Sequence, residues 1–168
     1  MIVGGGVVGC ETAHWLANEY GKNVTVLEML PHFMMGVCTA NRGHLLHYLE
    51  KSGVRLYNCT KVKALAKDGV YVEQNQSQTV PDPYNTWQPL LPPNIPNPME
   101  KAIKEEIVEK KIPADLIVLA MGGKADETFF FEAGEEHLAK EIYNIGDSSR
   151  AGRVLEAVRG AYHLAVRI

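Results

Sequence analysis

The sequence predicts an α/β protein built on a parallel sheet, and three observations carry that prediction. Gly4-Gly5-Gly6-Val7-Val8-Gly9 follows the apolar stub Ile2-Val3, an apolar run with helical spacing comes next, and Val24-Thr25-Val26-Leu27 then leads into Glu28. Strand, glycine turn, helix, strand and terminal acid in that order make a Rossmann-like, dinucleotide-binding βαβ unit. A GxGxxG spacing alone also occurs in ordinary loops, so the flanking elements supply the specificity.

Each position in the unit has a physical reason. Gly4 allows the tight turn, Gly6 lets the backbone approach a pyrophosphate, and Gly9 lets the helix pack closely on its strand. The helix N-terminus offers free N–H groups and the positive end of its dipole to phosphates. Glu28 stands nineteen residues after Gly9, near the spacing of an acid that accepts hydrogen bonds from the adenosine ribose. Residues 29–35, MLPHFMM, contain no Arg or Lys to relieve repulsion between Glu28 and a 2′-phosphate. NAD(H) is therefore expected over NADP(H). Other readings of the turn are a loop that binds nothing and a site for another adenine cofactor such as FAD.

The remaining elements follow in order. Glu11 to Tyr20 is helical, with Ala13, Leu16, Ala17 and Tyr20 on its apolar side and Gly21 as the stop. Asn41 is the expected cap of a second helix, with Leu45, Leu46 and Leu49 buried and Gly53 ending it. Val54–Tyr57 reads as a third parallel strand. Val62–Leu65 and Val70–Val72 form a hairpin turned by Lys67-Asp68-Gly69. With Ile107–Ile112 it makes a β-meander crossover to the apolar strand 115–120. Seven of the nine prolines fall between positions 81 and 98, so 74–98 reads as a Pro-rich surface insertion that is mobile and dispensable for folding. Residues 141–147 read as a strand ending in Gly146-Asp147. Residues 152–168 read as an amphipathic helix with Val154, Val158, Ala161, Tyr162 and Ala165 on one face.

At 168 residues, 46% apolar and 22% charged, the chain can bury one good core or one domain plus an attached piece. A net charge of −3 is too balanced to suggest a nucleic acid or a membrane surface as partner. Without an export signal or a membrane-length apolar run, the expected location is cytoplasmic. Cys10, Cys38 and Cys59 match neither a disulfide framework nor a zinc or redox motif, and read as free thiols. His44 and His47 lack a third ligand, which disfavours a metal site. Phe129-Phe130-Phe131 reads as core or as a buried domain interface. The short stub before Gly4 suggests a piece of a longer protein.

GGGVVGCETA at 4–13, VLEMLP at 26–31, ADLIVLAMG at 114–122 and YNIGDSSRAGRVLEAVRGAYHLAVRI at 143–168 resemble the C-terminal part of the NADH:flavin oxidoreductase/NADH oxidase family. These are old-yellow-enzyme-like proteins that include 2,4-dienoyl-CoA reductase, enoate reductase and trimethylamine dehydrogenase. The resemblance implies an NAD(P)H-binding domain over 1–123 and, over 124–168, a C-terminal strand–helix segment of a split FAD domain. FMN and an iron–sulfur cluster would belong to a barrel outside this sequence.

The resemblance makes Gly4, Gly5, Gly6 and Gly9 the pyrophosphate loop, with Val7 and Val8 donating backbone N–H groups. Glu11, in the first helical turn, would stand near the nicotinamide or merely complement the helix dipole. Glu28 and Met29 fall at the adenosine end, and Met121 and Gly122 at a turn beside the cofactor. Gly146 and Asp147 match the FAD-binding Gly-Asp, half of a site. The implied function is to present NADH for hydride transfer to FAD, with no catalytic residue and no complete reaction in this chain alone. The alternatives are a module that holds ADP or NAD structurally and a self-contained dehydrogenase, the latter disfavoured because no acid/base pair is in view. Expected partners are the nicotinamide dinucleotide, the FAD and barrel domains, and a second copy docking through the apolar tail.

Overall fold

The computed structural model describes residues 1–86, 95, 98 and 101–168. They form two compact units, Met1–Met121 and Gly122–Ile168. In the first, Ile2–Val3 (β1), Val7–Tyr20 (α1), Thr25–Leu27 (β2), Thr39–Lys51 (α2) and Arg55–Tyr57 (β3) alternate strand and helix. Thr60–Ala66 (β4), Gly69–Asn75 (β5) and Ile107–Pro113 (β6) follow as an antiparallel meander. Val118–Leu119 (β7) then returns to complete a four-stranded parallel sheet in the order β3-β2-β1-β7. The expected Rossmann-like sheet with its meander crossover is thus present.

Register explains why the apolar runs read as inner strands. Ile2 faces Val26 on one side and Val118 on the other, and Val26 in turn faces Leu56. All three residues of β2 are buried, as a strand covered on both faces must be. The core beneath it gathers Ile2, Cys10, Ala13, Val26, Leu46 and Leu49, with Phe33 and Met34 added from the loop after β2. A smaller cluster of Leu27, Val70 and Val72 joins the meander to the sheet.

Two helix starts differ from expectation. Gly6, extended at φ −70° and ψ −177°, is the N-cap of α1, so the helix begins at Val7 and Glu11 lies in its second turn rather than its first. A helix dipole acts on charges within the first turn, which removes that role from Glu11. Helix α2 opens at Thr39 behind Cys38, ahead of the expected Asn41, and neither helix has a side-chain cap to mark its start.

The insertion is not a free loop over its described part. Asn75, 8% exposed, accepts hydrogen bonds from Ser77 N and Glu106 N and donates to Lys104 O, tying the two ends of the excursion together. Asn58 Nδ2 donates to Pro81 O at 2.8 Å. The Tyr84 hydroxyl donates to Val54 O and accepts from Leu56 N at 3.2 Å, covering polar groups on the open edge of β3. Residues 74–86 are therefore tied to the first unit, in contrast to the expected free surface loop. Residues 87–94, 96, 97, 99 and 100 lie outside the described residues. Tyr84→Phe should therefore cost about 1–3 kcal/mol, the price of an unpaired buried carbonyl. Urea unfolding of the two proteins checks it, and coincident curves would contradict it.

The second unit holds Thr128–Glu135 (α3) and Val154–Ala165 (α4), separated by a 3-10 turn at Gly146–Ser148. The strand expected at 141–146 carries no ladder among the described residues; a strand exists only through its neighbours. Phe129 and Phe131 are exposed and so not part of a core of this unit, in which Ala133 is the buried residue of α3. On α4, Val154, Val158 and Tyr162 are likewise exposed. Among the described residues, no helix is long and apolar enough to cross a membrane.

Candidate nucleotide-binding site

The glycine turn sits between β1 and α1, and each of its glycines meets a different constraint. Gly4 has φ +110°, and a Cβ there would stand 2.3 Å from Ala120 O at the end of β7. At Gly9 a Cβ would stand 2.0 Å from Gly4 O, so the helix touches the turn backbone to backbone. A Cβ on Gly5 would enter the Phe33 ring at 2.4 Å. Gly6 alone of the four faces open space, with nothing within 4 Å of the position its Cβ would take. That opening lies at the uncapped N-terminus of α1, where the first N–H groups, from Val7 onward, have no intrahelical acceptor.

Glu28 reaches this turn from the end of β2. Its Oε2 accepts from Gly5 N at 2.7 Å and its Oε1 from Leu30 N at 2.8 Å. A carboxylate offers about four lone-pair sites, so two remain for ribose hydroxyls. The loop that follows folds back on the turn: Met34 N donates to Gly5 O at 2.8 Å, with Met34 itself at φ +53°. Met29 and Met121 are exposed, and Met121 directly follows the Ala120 that closes on Gly4.

The first unit thus brings Gly4, Gly5, Gly6, Val7, Val8, Gly9, Glu28 and Met121 to the carboxyl ends of β1, β2 and β7. This is the edge of an open parallel sheet where ligands bind. Glu11 is exposed one turn up α1. Gly122, at φ +82°, begins the second unit.

In that second unit Gly146, at φ +68°, turns the chain, and Asp147 Oδ1 accepts from Gly152 N at 3.2 Å just before α4. Beside it lies an open cleft of about 810 Å³ lined by Gly146, Arg150, Arg153, Arg159 and His163 among others. Among the described residues, no three metal-ligating side chains converge.

Phe33, Met34 and Arg42 escaped the sequence reading. Phe33 and Met34 sit in a loop without periodicity, but Arg42 left a signal: its spacing to Leu46 and Leu49 puts a cation on the buried stripe of α2.

Cys10 is fully buried behind the turn, its Sγ 3.5 Å from Gly5 O. Burial, aided by the charge of Glu28, pushes the thiol up to about 12 against an ordinary value of 9.0. The folded state therefore keeps a proton that the unfolded state loses. The neutral thiol's contribution is fully present below pH 9 and declines as pH rises from there toward about 12. Cys10→Ala should flatten that alkaline fall by up to about 1.4 kcal/mol per pH unit. Urea unfolding at pH 8 and pH 10.5 measures it, and equal slopes in both proteins would contradict it.

The sequence pattern described as "Pyridine nucleotide-disulphide oxidoreductase" matches residues 1–158. The chain belongs to the pyridine nucleotide-disulphide oxidoreductase family. This pyridine nucleotide-disulphide oxidoreductase domain is 26% identical over 168 residues to an NADH oxidase of Thermoanaerobacter brockii, covering 100% of this chain and 21% of that protein. It is 23% identical over 171 residues to a cinnamate reductase of Clostridium sporogenes, again 100% of this chain and 21% of the relative. Its fold superposes on a 2-naphthoyl-CoA reductase complex with a TM-score of 0.69 at 24% identity, over 99% of this chain and 20% of that one. The chain spans about a fifth of these relatives. The resemblance read from the motifs is borne out, and the domain is a FAD/NAD-binding Rossmann domain of the kind found in flavoprotein reductases.

Proposed function

We propose that the unit Met1–Met121 binds NADH across the Gly4–Gly9 turn and presents it for hydride transfer to FAD. The observation that carries this is the coincidence of three features at one corner: the open face at Gly6, the start of α1 without a side-chain cap, and the Glu28 carboxylate hydrogen-bonded directly to Gly5 N of the turn. The open face lets a diphosphate reach the backbone, Val7 and Val8 N–H groups donate to it, and Glu28 takes the adenosine ribose. When bound, NADH supplies the hydride; the chain's own groups bind and orient. Gly146 and Asp147 would contribute one edge of the FAD site, the rest of which belongs to other parts of a longer protein.

A second reading has its own support. The groups assigned to the corner, the Val7 and Val8 N–H groups and the Glu28 carboxylate, would serve the diphosphate and the adenosine, which ADP carries as fully as NADH, so on this reading the domain would hold a nucleotide without passing hydride. Calorimetric titration of the full chain with ADP, NAD⁺ and NADH separates the two. A donor site binds NADH distinctly from ADP, whereas identical affinities favour the structural role. FAD binding at this corner in preference to all three would overturn both.

A further inference from the structure

Arg42 takes no part in the proposed chemistry, yet it is built into the core at 3% exposure. Its Nε donates to Phe33 O at 2.9 Å. Among the described residues it forms no ion pair, the three present being Lys63–Glu73, Lys111–Asp68 and Arg153–Glu156. A guanidinium does not escape this by losing its proton, and a buried charge without a counter-ion is costly. Glu28, the nearby acid of the site, spends both oxygens on the backbone of Gly5 and Leu30 rather than on this cation.

Arg42 is linked to the glycine turn through Phe33 and Met34. Phe33, which accepts from Arg42, fills the space next to Gly5, and Met34 N donates to the Gly5 carbonyl. Cys10, whose thiol touches that same carbonyl, feels both the Arg42 and the Glu28 charges.

We infer that Arg42 is an electrostatic positioning residue for the diphosphate, a fixed positive charge linked to the Gly4–Gly9 turn that a dinucleotide bound at the start of α1 balances. The inference rests on the proposed nucleotide site. It assigns Arg42 two effects that a packing role would not combine: it holds the Phe33–Met34 turn against Gly5, and it favours ligands in proportion to their phosphate charge.

The test compares ADP with adenosine, by calorimetry at low salt, on the full chain and on Arg42→Met and Arg42→Lys. Arg42→Met should bind ADP about tenfold more weakly while its adenosine affinity stays within about twofold, and Arg42→Lys should keep most of the ADP affinity. An Arg42→Met protein with unchanged ADP affinity, or one that loses ADP and adenosine alike, overturns the inference. Should Arg42→Met fail to fold, Arg42→Gln replaces it, since Gln can still donate to Phe33 O without the charge. Failure of the unaltered chain to bind ADP would overturn the nucleotide site itself, whereas normal binding with no effect of Arg42 overturns only this inference.

Discussion

Gly9→Ala is expected to cripple the protein, while Gly6→Ala leaves it folded but weakens nucleotide binding. At Gly9 the added methyl would stand 2.0 Å from Gly4 O, a backbone atom that no rotamer change can move aside. Helix and turn must separate, and overpacking of this kind typically costs about 1–3 kcal/mol and here should exceed it. The separation also displaces the N–H groups of α1 from the turn, so nucleotide affinity falls with stability. At Gly6 the methyl meets nothing within 4 Å, and the backbone at φ −70° suits any residue. The same methyl would occupy the face a diphosphate must approach, so affinity should drop at least about tenfold with the melting curve unchanged. Thermal melts and ADP titrations of both variants check this, and a Gly6→Ala protein that binds normally would place the ligand elsewhere.

Glu28→Ala should erase the preference for NADH over NADPH and lower stability as well. With Glu28 present and no Arg or Lys over 29–35, NADH should bind at least about tenfold more tightly, equivalent to about 1.4 kcal/mol. Removing the carboxylate takes away the ribose acceptor and the repulsion toward a 2′-phosphate together. It also strips the buried Gly5 N of its acceptor, which should cost about 1–3 kcal/mol, whereas water can replace the acceptor of the exposed Leu30 N. Calorimetry with both nucleotides measures the ratio, and equal affinities in the unaltered protein would contradict it.

The βαβ corner was legible because local constraints create it. Gly4 must adopt φ +110°, Gly9 must admit a backbone, and β2 must be apolar on both faces, so each residue type is forced by its own position. What stayed hidden depends on distant partners. The strand expected at 141–146 has a strand-like sequence, but a ladder needs a neighbour that periodicity cannot supply. Tyr84 lies in a proline-rich stretch that composition assigns to solvent, yet its hydroxyl covers the edge of β3. Glu11 was displaced by a turn because Gly6 caps α1 without a side-chain signal. Phe33 and Arg42 shape the turn from a loop and from a neighbouring helix, and only the cation on the apolar stripe of α2 hinted at it.

The central claim is that the nucleotide sits on the glycine turn of the first unit, and amide NMR of the full chain during NADH titration tests it most directly. The N–H signals of Gly5, Gly6, Val7 and Val8 should shift together and saturably with that of Leu30, which shares the Glu28 carboxylate, while those of Asp147 to Arg153 stay in place. Shifts confined to Asp147 to Arg153, or no saturable shift at Gly6 to Val8, would contradict it.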